Sequence, residues 1–239
     1  MKQRLDNLLV QKKLVATRSQ AESYIRLGQV KVEGRVINKP GYFVRSDVDI
    51  TLGVKTQYVS RAALKLASVT DALGIVFADK TVIDVGSSTG GFTDYALQHR
   101  AKKIIAVDVG TDQLHPRLRA DEKIELHEKT NILDFTSSED IDIAVIDVSF
   151  VSLQKILRHV ATLVHPGGDI IAMMKPQFEA QPEYLHKGIV KNSSYRKKIV
   201  QRFELWCRNN GFAIAKKIDS GVSGAKGNVE RFYLLRKQQ

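Results

Sequence analysis

Between Val82 and Phe92 the chain reads Val-Ile-Asp-Val-Gly-Ser-Ser-Thr-Gly-Gly-Phe, an apolar strand that runs into a glycine-rich turn and out into a helix. In open α/β sheets this is where cofactors bind, because glycines let backbone approach a ligand closely. The turn is neither the phosphate loop Gly-x-x-x-x-Gly-Lys-Ser/Thr nor the dinucleotide loop Gly-x-Gly-x-x-Gly, since Ser88 stands where the second glycine would be. Its surroundings predict the rest of the domain. Apolar strands over 81–85, 103–107, 125–127, 141–146 and 169–174 alternate with helices over 92–99 and 153–163, the rhythm of a doubly wound α/β sheet. A helix starting at Arg61, with Ser60 as N-cap, precedes them, and a helix over 194–209 followed by strands over 212–219 and 231–235 closes the domain as a hairpin.

The stretch ahead of this domain has a different character. Residues 4–13 read as an amphipathic helix with Leu5, Leu8 and Leu9 on one face, and Thr17 or Ser19 caps a second helix over 20–27 that stops at Gly28. Val30-Lys-Val-Glu, a turn at Gly34 and Val36-Ile37 predict a hairpin, and 48–52 a further strand. Gly53 to Tyr58 carries no pattern and reads as a linker, dividing the chain into residues 1–57 and 58–239. Charge follows the same division. Residues 1–60 hold 11 basic and 5 acidic side chains, 61–185 hold 13 and 18, and 186–239 hold 13 and 3, within a total of +11. Basic ends around a mildly acidic middle suggest two surfaces gripping a polyanion while a central site does something else.

The residues of the first unit carry a resemblance. Arg4-Leu-Asp, Thr17-Arg18-Ser19-x-Ala21, Ile25-x-x-Gly28-x-Val30-x-Val32-x-Gly34 and Lys39-Pro40 resemble the small α+β RNA-binding domain first named from ribosomal small-subunit protein four. The resemblance implies structured-RNA binding, with Arg4, Arg18, Arg26, Lys31 and Arg35 as phosphate contacts that give affinity with little sequence reading. In the second unit, Asp108 ends the next strand about 20 residues after the loop, where a carboxylate accepts hydrogen bonds from ribose hydroxyls, and Asn131 or Asp134 follows the third strand within reach of an adenine edge. Together with Asp84, Gly86, Ser87, Gly90, Gly91 and Phe92 this resembles the Rossmann-like S-adenosylmethionine-dependent methyltransferase fold.

Four charged residues specify the chemistry. Ser-Arg-Ala-x-x-Lys65-Leu, Asp147-x-x-x, Lys175-Pro-x-Phe-Glu and Glu230-Arg-x-Tyr resemble the Lys-Asp-Lys-Glu tetrad of FtsJ-like ribose 2′-O-methyltransferases. With the N-terminal module in front, nearly the whole chain resembles the TlyA family, bacterial rRNA 2′-O-methyltransferases whose members also bear the name hemolysin. The resemblance implies an enzyme that uses S-adenosylmethionine and acts on cytidine ribose in ribosomal RNA or ribosomal subunits; the start of the chain, without the apolar stretch of a secretory signal, predicts a cytoplasmic protein, and no metal and no obligate protein partner are expected. A ribose hydroxyl is a poor nucleophile until its proton is being removed, and lysine removes one only when neutral, against an ordinary value of about 10.4. Lys175 is therefore read as general base or oxyanion stabiliser. Lys65 orients the 2′-oxygen, Asp147 links cofactor to Lys175 and also binds cofactor, and Glu230 positions the lysines.

Other chemistries lack their residues. Exocyclic-amine methylation calls for Asn or Asp followed by Pro-Pro and an aromatic, whereas Asp147 is followed by Val-Ser-Phe. Carbon methylation through a covalent adduct needs a thiolate, and the single cysteine, Cys207, sits beside Trp206 in an amphipathic helix far from the cofactor strands. One cysteine also excludes an internal disulfide and a cysteine-rich zinc site. Residues 176–192, including His186-Lys187-Gly188, read as a lid over the target nucleotide, with Phe150 or Phe178 stacking on a flipped base. Two rival readings remain. A membrane-lytic protein needs an inserting apolar segment, and no run here approaches the roughly 20 residues that span a bilayer. A non-catalytic RNA-binding ribosome factor would keep the fold without using the tetrad.

Overall fold

The computed structural model describes residues 2–15, 17–53, 58–186, 188–190, 192–222 and 228–238. The predicted linker falls largely on 54–57, and Lys187 and Lys191 of the predicted lid fall on two further positions, all outside the described residues.

The first unit consists of β1 (Lys2–Arg4), α1 (Leu5–Gln11), α2 (Arg18–Arg26), β2 (Val30–Val32), β3 (Arg35–Val36), β4 (Phe43–Arg45) and β5 (Ile50–Leu52). The Thr17 side chain caps α2 by accepting from Gln20 N–H. The hairpin β2–β3 turns at Glu33-Gly34, both with positive φ, and β5 pairs on the far edge of β2. Several expected bounds change: the first helix ends at Gln11 rather than residue 13, and the second spans Arg18–Arg26 rather than 20–27. The first helix begins at Leu5 rather than Arg4, because Lys2–Arg4 pairs antiparallel with β4, and the strand expected over 48–52 shortens to Ile50–Leu52. Leu5, Leu8, Leu9, Tyr24, Ile25 and Val30 bury together.

Beneath them lies Asp6, fully buried and held by four hydrogen bonds, one of them from Asn7 N–H at 2.9 Å. Arg4 donates twice to it, at 3.0 and 2.6 Å, and Arg18 Nε donates at 3.0 Å. Burial alone pushes this carboxyl up, but the hydrogen bonds from Arg4 and Arg18 outweigh it and hold Asp6 below the usual carboxylate range.

The second unit continues with α3 (Arg61–Leu73), β6 (Thr81–Val85), α4 (Gly91–Gln98), β7 (Lys103–Val107), α5 (Pro116–Arg119), β8 (Ile124–His127), β9 (Ile141–Ile146), α6 (Leu153–Leu163), β10 (Val164–Met174), α7 (Pro176–Glu179), α8 (Ser193–Asn209), β11 (Phe212–Asp219) and β12 (Arg231–Lys237). They form one seven-stranded sheet in the order β11-β12-β10-β9-β6-β7-β8. The five strands from β10 to β8 run parallel; β12 is antiparallel to both its neighbours. Strand β10 starts five residues earlier than expected, because Val164 already pairs with Ile141 before a register shift at His165-Pro-Gly-Gly.

Parallel strands are covered on both faces, which is why they read as apolar runs. Ile83, Ile105, Ala144 and Ala172 pack under α6 and α8 through Leu157, Val200 and Phe203. Val82, Ile104, Val145 and Ile171 face the other way, against Leu66 and Val69 of α3 and Phe92 of α4. The strand order reverses between β6 and β9, so a crevice opens at their carboxyl ends, the position at which such sheets bind ligands. The two units are not independent. Leu64 of α3 and Val222 join the hydrophobic cluster of the first unit, and Arg61 donates to Ser19 Oγ at 2.6 Å.

Replacing Asp6 by alanine is expected to cost about 2 kcal/mol, the loss of charged hydrogen bonds at a buried acceptor, read by urea unfolding. The native value of Asp6 is lowered, so its contribution is intact above the unfolded carboxylate range and lost as pH falls through the native value. The difference between Asp6→Ala and the parent should therefore shrink in acid.

Candidate active site

The crevice is built on the loop that leaves β6. Gly86, with φ +83°, has Asp147 O and Val148 Cγ1 each 3.1 Å from where a Cβ would be, and Gly90, with φ +89°, turns the chain into α4. Gly91 is held by space alone: a Cβ there would meet Ser60 Oγ, Ala62 Cβ at 2.7 Å and Ala63 N at 3.0 Å, so α4 starts flush against α3. Asp108 braces the loop from the next strand, accepting from Ser88 N–H at 2.8 Å and Gly110 N–H at 2.7 Å. That role, holding the loop, is one the sequence reading missed.

Two cavities adjoin this loop. A small one of about 140 Å³ is lined by Asp84, Gly86, Ser87, Gly91, Asp147 and Lys175, among others. A larger one of about 530 Å³ is walled by Asp108, Asn131, Ile132, Val148 and Phe150, and shares Gly86, Ser88, Asp147 and Ser149 with the first. Their sizes and walls suit an extended ligand with a polar end in the small cavity and a flat apolar end in the large one. Of the two candidates for the adenine edge, Asn131 is on the wall and Asp134 is not. The Asn131 side-chain oxygen is engaged in capping a 3₁₀ turn through Leu133 N–H. Phe92 lines the small cavity while its ring packs in the core 6.1 Å from Phe232.

Asp84 and Ser87 provide the test of fit for a cofactor with a cationic end. Asp84 Oδ2 accepts from Thr93 N–H at 2.9 Å and Thr93 Oγ1 at 2.6 Å, whereas its Oδ1 and Ser87 Oγ are buried with no hydrogen-bond partner among the described residues. Buried polar atoms without partners are rare, and two on one cavity wall mark a place where a ligand completes the hydrogen bonding. Burial raises the Asp84 carboxyl to about 7, against the lowering effect of Thr93.

The four tetrad candidates meet at the same sheet end, as two pairs. Lys175 Nζ lies 2.6 Å from Asp147 Oδ1, and Lys65 Nζ lies 2.6 Å from Glu230 Oε2, both charge contacts rather than aligned hydrogen bonds. Asp147 leaves the end of β9 and Lys175 the end of β10, while Glu230 precedes β12. Carrying the antiparallel register one step past Met174↔Arg231 sets Lys175 opposite Glu230, which joins the two pairs. Lys65, Lys175 and Glu230 are each less than a tenth exposed. Lys175 also donates to Ser149 Oγ at 2.8 Å, a contact missed by the sequence reading although Ser149 stands only two residues beyond Asp147.

Around this centre Phe150 is almost wholly exposed, has φ +65°, and lies 5.2 Å from the Phe178 ring, which in turn is 5.9 Å from Lys175 Nζ. Glu179 pins the first turn of the expected lid by accepting from Ser152 Oγ and Leu153 N–H, both at 2.6 Å. Cys207 is buried in the core and its thiol is pushed up to about 12 by that burial, so it provides no thiolate.

In the first unit, Arg26, Lys31 and Arg35 are exposed. Arg4 and Arg18 are tied to Asp6, so two of the five expected phosphate contacts also hold the module together.

Residues 58–237 match the FtsJ-like methyltransferases, three quarters of the chain, and residues 3–50 match the S4 domain. The chain belongs to the FtsJ-like methyltransferase family. This FtsJ-like protein is 41% identical over 236 residues to a candidate rRNA methyltransferase, YqxC, of Bacillus subtilis, covering 96% of this chain and 84% of that one. It is 40% identical over 198 residues to the 23S rRNA (cytidine-2′-O)-methyltransferase TlyA of Campylobacter jejuni, covering 80% of this chain and 78% of that one. A solved structure of a candidate hemolysin from Streptococcus thermophilus superposes with a TM-score of 0.74 at 36% identity, covering 100% of this chain and 89% of that one.

Because Gly91 abuts the backbone of α3, Gly91→Ala is expected to cost about 1–3 kcal/mol through overpacking, measured by urea unfolding. It should weaken cofactor binding in calorimetry as the loop shifts away from α3.

Proposed function

We propose that the protein transfers a methyl group from S-adenosylmethionine to the 2′-hydroxyl of a cytidine in ribosomal RNA, working in the cytoplasm on RNA that the unit over 1–57 delivers to the domain over 58–239. The observation that carries this reading is the Lys175–Asp147 contact on the wall of the small cavity at the strand-order reversal, with the buried Lys65–Glu230 contact at the same end of the sheet. The family and the TlyA relative of Campylobacter jejuni support the same reaction.

In this reading Asp84 and Ser87 hold the cationic end of the cofactor, and Asp108 and Asn131 border its nucleoside. When bound, the cofactor supplies an electrophilic methyl on a sulfonium. The remaining work belongs to the tetrad. Lys65, fixed by Glu230, orients the sugar oxygen, and the fixed geometry replaces the entropy of a chance encounter. Lys175, held between Asp147 and Ser149, takes the 2′-proton when neutral, and Asp147 then steadies the ammonium so formed. Phe150 and Phe178, adjacent at the mouth, offer aromatic faces to a base rotated out of its stack.

Some relatives bear the name hemolysin, but no helix among the described residues is long and apolar enough to cross a membrane.

Two outcomes test the reading. Lys175→Arg keeps the charge but cannot be deprotonated, so methylation of rRNA is expected to fall by at least about a hundredfold while RNA affinity is unchanged, followed by mass mapping of ribose methylation. Activity retained by Lys175→Arg would reassign the residue as a fixed cation. Separately, the ionised form of Asp84 is the one that attracts a cation, and its carboxyl sits at about 7. Cofactor affinity should climb as pH rises from 6 to 8, with proton release detectable by calorimetry in buffers of different ionisation enthalpy, and Asp84→Asn should flatten the profile.

A further inference from the structure

The helix α8 carries a charge pattern that the reaction does not use. It seats Val200, Phe203 and Cys207 in the core beside α6 and turns Lys197, Lys198, Gln201, Arg202, Leu205 and Arg208 outward. Lys197, Lys198, Arg202 and Arg208 have no ion-pair partner among the described residues. Its other cation, Arg196, pairs with Asp219 at 2.7 Å, a carboxylate that it shares with Arg231. The only acid of the helix, Glu204, is buried and already serves Lys217 at 2.8 Å and the Tyr233 hydroxyl at 3.1 Å. The outward face is therefore cationic without compensation over about 16 Å of helix. Lys198 and Arg202, four residues apart, repel each other, so the pattern works against the helix rather than for it.

Its position gives the pattern a use. The start of α8 lies at the reactive end of the sheet, because Arg196 reaches both Asp219 and the carbonyl of Val229, the residue before Glu230. The far end borders a hollow of about 470 Å³ lined by Arg208, Lys216 and Lys217 together with Glu204. Meanwhile the N-terminal unit packs against α3, on the opposite face of the sheet. Basic surfaces thus flank the catalytic end from both sides.

We propose that the outward face of α8, with Lys197, Lys198, Arg202 and Arg208, is a second RNA-binding surface that grips the phosphate backbone of the rRNA on the side of the active site away from the N-terminal unit. This rests on the reading of the protein as an rRNA methyltransferase. The contact is electrostatic and sequence-independent. Each phosphate neutralised by one of these side chains releases counterions, so the surface shows itself in the salt dependence of binding.

The test uses the full chain with Lys197→Ala, Lys198→Ala and Arg202→Ala combined, three exposed residues whose removal leaves no buried group unpaired. Affinity for an rRNA fragment is measured across a salt series without turnover. The slope of log affinity against log salt is expected to become shallower by about 2 to 3, and the triple Lys197→Arg, Lys198→Arg, Arg202→Lys exchange should keep the parent slope. Cofactor affinity should match the parent, and thermal unfolding should come no earlier than in the parent, since the variant removes the repulsion within the helix. A slope unchanged in the alanine variant overturns the proposal. So does loss of binding to phosphatidylserine vesicles with the RNA slope intact, which would make the face a lipid contact. Because binding is read apart from methylation, a parent protein that binds rRNA but never methylates it would overturn the proposed function while this slope still decides the surface.

Discussion

Two ammonium groups buried at the end of a sheet are tolerable only if each finds a carboxylate, since an unpaired ion in that environment costs several kcal/mol. Much of the second unit is arranged to meet this requirement. Asp147 arrives on β9 and Lys175 on β10 as parallel neighbours, but Glu230 has to come from the far end of the chain. It can do so because β12 enters the sheet antiparallel beside β10. The reversed strand delivers its first residues, rather than its last, to the end where the parallel strands finish. A parallel β12 would have carried Glu230 to the opposite edge and left Lys65 without its partner.

The same end of the sheet uses two acids differently around one loop. Asp108 spends both oxygens on backbone N–H groups of the loop and its neighbour, whereas Asp84 keeps one oxygen free inside the crevice. One acid fixes geometry and the other offers charge, although both stand at or beside strand ends of the same sheet. The difference is burial: Asp84 is sealed beneath the loop, and its raised carboxyl value is the trace of that sealing.

Much of this was readable from the sequence, for physical reasons. The strands over 81–85, 103–107 and 141–146 and the helix over 153–163 have the bounds expected of them, because elements buried on both faces write long apolar runs between turn residues. The three-residue β1 was invisible, since Lys-Gln-Arg has no strand pattern and becomes one only by pairing with β4. Asp147, Lys175 and Glu230 could be placed near strand ends and Lys65 in the helix before β6, but partner choice could not be read, because the register between β10 and β12 decides it. Arg4 and Arg18 illustrate the converse. A sequence shows two exposed cations near one Asp, while the fold reveals that Asp6 is buried and that both arginines close over it.

Val222, only 2% exposed, completes the hydrophobic cluster of a unit whose other members, Leu64 apart, lie within the first 58 residues. During synthesis the first unit leaves the ribosome long before Val222 does, so its apolar centre stays open on one side until the last stretch of polypeptide emerges. The RNA-handling unit is thus finished last although it is made first, and a chain stopped short of its C-terminal hairpin would hold neither Glu230 nor a closed N-terminal core.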